Sequence, residues 1–126
     1  MRITKTQVCA DEERRRSAAI ADAWRACEAA AEIARVSADW SMRAEIAPED
    51  AAEAMSAALR ARHAAQRAEH AGTIEEAVAE SRSAWAAAMS AMEADSRVVT
   101  TLVDMLAGPG SSALPGEESV RAHESL

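Results

Sequence analysis

The chain has 126 residues and contains no Phe or Tyr, two Cys, three Pro, four Gly and a single Lys, Lys5. With three Trp as the only aromatics and just 17 Ile, Leu and Val together, neither an aromatic nor a rich aliphatic core can form. Scarce Gly and Pro leave long unbroken stretches, which excludes collagen-like and loop-dominated folds. Cys9 and Cys27 are too few to staple a fold, and on one continuous helix they would lie about 27 Å apart, beyond disulfide reach. Unpaired thiols fit a reducing compartment, so a cytoplasmic location is expected. No apolar stretch is long enough for a membrane span. The longest uncharged helical-looking one, residues 83–92, falls well short of the required ~20 residues, and Met1 to Val8 lacks the pattern of a signal peptide.

The chain is rich in alanine, with 34 residues. A poor aliphatic content and a formal net charge of -7 would ordinarily suggest disorder. Alanine reverses that inference, because it is the best helix former and loses no side-chain entropy on folding. The charge balance, 21 carboxylates against 14 Lys and Arg, disfavours a phosphate-backbone binder, so nucleic acid is not the expected partner. Arg replacing Lys almost throughout, together with the Ala excess, points to a GC-rich bacterial coding sequence.

Helix signals divide the chain into three parts. Residues 1–10 carry β-branched side chains without helical period and read as an extended arm. Residues 11–107 read as the helical domain, and residues 108–126, rich in Gly, Pro and Ser, as a flexible tail. Within the domain, Asp11, Glu12 and Glu13 open a first helix that runs to about Ile46. Pro48, Glu49 and Asp50 open a second that meets Gly72. Thr73 and Glu76 have capping-box spacing and start a third from Ile74 to about Ala107. Short links make consecutive helices antiparallel, predicting an all-α, up-down-up bundle of three long helices completed by oligomerisation. The alternative is a two-helix hairpin, with the second and third helices continuous through Gly72 at a cost of about 1 kcal/mol.

Apolar periodicity assigns the packing faces. On the third helix Ile74, Val78, Ser81, Trp85, Ala88, Met92, Asp95, Val99, Leu102 and Leu106 follow a coiled-coil seam. Asp95 in that seam, if buried, needs hydrogen bonds or a cation and can fix register; the alternative is a seam that opens to solvent at that point. On the first helix Ile20, Trp24, Cys27, Ala31, Ala38 and Met42 share one face, while Ile33, Val36 and Trp40 lie nearly opposite. A thin rod covers only one of these faces, so either a second subunit covers the other or the helix bends near Ser37 to Asp39; Ile33, Val36, Trp40 and Trp85 are the interface candidates. The expected partner is a second copy, at least a dimer, or another helical protein.

No pattern of catalysis or metal binding emerges. His63, His70 and His123 lack a Glu three residues before them, and there is neither a His-Glu-x-x-His nor a Cys-x-x-Cys, so no metal or other cofactor is expected. Neither Cys has an identifiable His partner. Arg60, His63, Arg67 and His70 recur along one side of the second helix. They form a basic stripe that would suit an anion or acidic partner and gain charge as imidazoles protonate. The run Arg14, Arg15, Arg16 follows two Glu and has no interleaved aromatic, so it reads as a solvated face. The leading function is a non-enzymatic helical interaction or oligomerisation module, or an accessory subunit of a complex. The alternatives are a helical ligand-binding protein or enzyme with a pocket between helices, and a dimeric DNA-binding regulator.

Overall fold

A computed structural model describes residues 4–108. Over that span the chain is an up-down-up bundle of three helices, α1 (Lys5–Ala44), α2 (Pro48–Glu69) and α3 (Ile74–Leu106), each packed against both others. No strand occurs among the described residues. The hairpin alternative fails at residues 70–73. There the Thr73 hydroxyl accepts the Glu76 N–H at 3.1 Å, and the Glu76 carboxylate reaches back to the Gly72 N–H at 2.9 Å. These contacts satisfy the first free donors of α3 and end any continuity with α2.

The extended arm is corrected. Residues 5–10 are helical, because Thr4 and Gln7 form a reciprocal capping box: the Thr4 hydroxyl accepts the Gln7 N–H, and the Gln7 amide oxygen accepts the Thr4 N–H. The β-branched residues around it lower helix propensity by only a few tenths of a kcal/mol each, less than a good cap supplies. Residues 1–3 and the tail from residue 109 lie outside the described residues.

The packing faces are also corrected. The buried positions of α1 are Ala19, Ala23, Ala26, Ala30, Ala34, Ser37 and Ser41. Except for Ala34, each is the residue immediately before a member of the expected face, Ala19 before Ile20, Ala23 before Trp24 and so on. On α3 the residues preceding Val78, Trp85, Met92 and Val99, namely Ala77, Ala84, Ala91 and Val98, take the buried positions. Ser81 and Ala88 stay in the seam as expected, and both are buried. Alanine also fills the inward face of α2, so Val98 is the only apolar side chain larger than alanine that is buried among the described residues.

The reason is steric. Interaxial distance follows the side chains at the contact, so a methyl-lined seam lets backbones approach closely. No room then remains between the helices for Trp or Met, which lie along the flanks instead. Ile20, Trp24, Cys27 and Ile33 pack half-buried against the alanine cluster.

Polar contacts lock the register. The Ser37 hydroxyl donates to Asp95 at 2.6 Å, which is the hydrogen bond a carboxylate in the seam requires. The Ser81 hydroxyl and the Trp85 indole both donate to Asp22, at 2.9 and 3.0 Å. Trp24 donates to Glu69 on α2 at 2.6 Å. The two sides of α1 therefore each face a neighbour, α2 beyond Trp24 and α3 beyond Asp22. The expectation that one side of α1 stands uncovered is corrected to this extent. Nor is the arginine run wholly solvated: Arg16 reaches across to donate to the Ala71 carbonyl at 2.6 Å, satisfying an acceptor at the end of α2.

Candidate functional site

Two surfaces stand out, one apolar along the α1–α3 groove and one basic along the α2–α3 groove.

The apolar surface follows from the displaced side chains. Trp85 sits over the α1–α3 groove through its bond to Asp22. Met92 and Val99 follow it at seven-residue steps, so on α3 they share its direction. On α1, Trp40 lies eighteen residues, five full turns, beyond Asp22 and therefore projects towards the same groove. The Ser37–Asp95 bond one turn earlier places that part of α1 beside α3. Trp40 is 43% exposed and Trp85 36%, and Met89, Met92, Val99 and Val103 are exposed as well. Of the four interface candidates, Trp40 and Trp85 thus present large apolar area. Val36 is half-buried, and Ile33 packs against the alanine cluster as part of the fold.

Asp22 gives this groove its electrostatics. Its carboxyl is held below the ordinary carboxylate range, chiefly by the Ser81 hydroxyl; partial burial opposes that, and Trp85 and Arg25 add to it. An ionised carboxylate that accepts two hydrogen bonds from α3 is a structural clamp, not a proton carrier.

The basic surface brings together three of the four expected residues. Arg60, His63 and Arg67 line a trough of about 470 Å³ whose other wall is Ser83, Ala86, Ala87 and Ser90 of α3. A second hollow of about 370 Å³ adjoins it, shares His63 and Arg67, and brings in Gln66 and His70. Arg60 pairs with Glu53 on its own helix at 3.2 Å, and Arg67 with Glu80 across the groove at 2.9 Å. One ring nitrogen of His70 bonds the Gln66 carbonyl at 2.8 Å, which makes it the donor. Sequence reasoning found the α2 residues from their spacing. It missed the α3 wall, because Ser and Ala in an alanine-rich helix carry no signal until the register is known.

A third hollow, about 470 Å³, lies where α1 passes the α2–α3 turn and is lined by Cys9, Arg16 and three glutamates. Cys9 is exposed there, while Cys27 is half-buried and its thiol is pushed up from the ordinary range by that burial, which disfavours its thiolate. Among the described residues, no three His, Cys, Asp or Glu side chains gather in a way that could hold a metal ion. No helix among them is long and apolar enough to cross a membrane. No protein-family model matches the chain, and no match was found among curated proteins or solved structures.

Proposed function

We propose that this protein is a helical interaction module that associates through the α1–α3 flank, with a second copy of itself as the first partner. The observation that carries the reading is the run of exposed large apolar side chains, Trp40, Trp85, Met89, Met92 and Val99, beside an interior made almost wholly of alanine. Burying a methyl yields about 0.8 kcal/mol, whereas a fully buried Leu or Met yields about 1.5–3 kcal/mol. The largest unused gain therefore lies on the outside of the bundle. Trp and Met are also the residue types enriched in the cores of protein interfaces, and a second copy offers the same flank for a two-fold pairing.

Sedimentation equilibrium at tens of micromolar tests the reading. The wild type is expected at twice the monomer mass or more, and Trp40→Ala is expected to weaken association by at least ~10-fold while its helical circular dichroism persists. A monomeric wild type, or an assembly indifferent to Trp40→Ala and Met92→Ala alike, would refute it.

A further inference from the structure

The apolar flank has an internal order, carried by α3. Trp85, Met89, Met92, Ser96, Val99, Val103 and Leu106 follow one another at alternating four- and three-residue steps, and every one of them is exposed and uncharged. That is the spacing of a coiled-coil seam. α3 therefore carries two seams, an inner one of mostly Ala and Ser buried in the bundle and this outer one, which no helix of the chain covers. The geometry points to α3 of a second copy as its occupant, paired antiparallel about a two-fold axis between Met92 and Ser96, so that Met92 of each copy faces the partner's Ser96. The inference rests on the association proposed above and gives it a direction and a register.

Side-chain size selects this pairing. With Met92 opposite the partner's Ser96, Met89 meets the partner's Val99 and Trp85 meets the partner's Val103. Each layer sets a large side chain against a smaller one, which fills the space between facing positions without overlap. A parallel pair would stack Trp85 on Trp85 and Ser96 on Ser96. Sliding the antiparallel pair by one heptad would bring Arg82, the preceding position of the series, against Val99 and bury its charge inside the strip.

The place of α1 selects the same direction. Ser81 and Asp95, which bond Asp22 and Ser37 of α1, each stand one residue before a member of the series, Arg82 and Ser96. α1 thus lies to one side of the outer seam. A two-fold axis across antiparallel helices keeps that side common to both copies, so both α1 helices lie on it. Trp40, held level with Val98 by the Ser37–Asp95 bond, then comes beside the partner's Met89. Parallel helices would place the two α1 helices on opposite sides and leave Trp40 in water. Glu93, one place past Met92, faces its own copy on the open side, where water and salt screen it.

Area favours a second copy of this size. From Trp85 to Leu106 the strip is about 32 Å long, and α1 beside α3 widens it to two helix diameters, roughly 20 Å. Two such faces bury on the order of 1,200 Å², the lower end of the range for stable specific interfaces, whereas a lone helix seam gives about half of that. The last turn of α3, which outruns the rest of its own bundle, is covered by the partner's α3 around Trp85. The central layers, Met89 to Val99 with Trp40, carry the association, and the layer of Trp85 with Val103 forms its rim.

The test uses the full chain with Cys9→Ser, Cys27→Ala and Leu106→Cys, spin-labelled at position 106 and read by pulsed dipolar spectroscopy beside sedimentation. The expected separation of the two labels is about 35–40 Å. A separation below about 20 Å shows parallel pairing and one near ~48 Å shows the register slid by one heptad. Either result overturns the inference and leaves the association standing, whereas a monomer at tens of micromolar removes both. Ser96→Lys changes a polar surface position that an unordered apolar patch would not involve. It is expected to weaken dimerisation by at least ~10-fold with helical circular dichroism unchanged, because the new charge meets the partner's Met92. Unaltered association of that variant overturns the inference as well.

Discussion

The middle of the bundle and the last third of α3 are built from opposite materials. Around Ala26, Ala61 and Ala88 the three helices meet through methyl groups, and the large side chains are pushed out to the flanks. Beyond Val98 the side chains are large, Val99, Leu102, Val103 and Leu106, yet little of the bundle faces them: Leu106 is 74% exposed. The lesson is that apolar size and burial are uncoupled here. Small residues are buried because they let backbones meet, and large ones are exposed because nothing can approach closely around them.

Changing size in the two regions is the most direct way to break this contrast. Ala61→Leu places three extra carbons in a fully buried seam and is expected to cost about 3 kcal/mol or to unfold the bundle, whereas Val103→Ala should stay within about 0.5 kcal/mol. Thermal melts followed at 222 nm decide it, and comparable losses for the two variants would show that the seam is looser than its burial implies. Val98→Ala sharpens the boundary between the regions. It removes the one larger apolar side chain buried among the described residues and is expected to cost about 2 kcal/mol through the cavity left behind, read from urea midpoints.

The smallest effect is at Asp22. Its carboxyl titrates lower in the folded chain than when unfolded, so its contribution is present above the ordinary carboxylate range and is lost as pH falls through and below about 4. Asp22→Asn should flatten the acid limb of the stability profile slightly, since the group is partly solvated. An unchanged limb would mean that the Ser81 and Trp85 contacts do not persist in solution.

Three helices, their antiparallel order and the turns at Pro48 and Gly72–Thr73 were legible because caps and breakers act within a few residues. The seams were not. Hydrophobic patterning weights large side chains, so it selected Ile20, Trp24 and Val78, each one residue past the alanine that is in fact buried. One residue is about 100 degrees on a helix, enough to turn a seam into a flank. Asp95 was recognised as a group needing a partner, but Ser37 as that partner depends on register, which sequence periodicity does not fix. Similarly, Arg60, His63 and Arg67 were visible as a stripe, while the serine wall opposite became visible only with the fold.

An alanine seam also has a consequence for how this chain can evolve. Every alanine codon is one base from Val, Gly, Pro, Thr, Ser and either Asp or Glu. At a fully buried seam position Val overfills the contact, Gly and Pro weaken the helix, and Thr, Asp or Glu bury a polar group, which leaves Ser as the mildest exit. A saturation scan should therefore show a periodic band of intolerance at the smallest residues of the chain, interleaved with permissive tryptophan and methionine flanks wherever no partner rests on them.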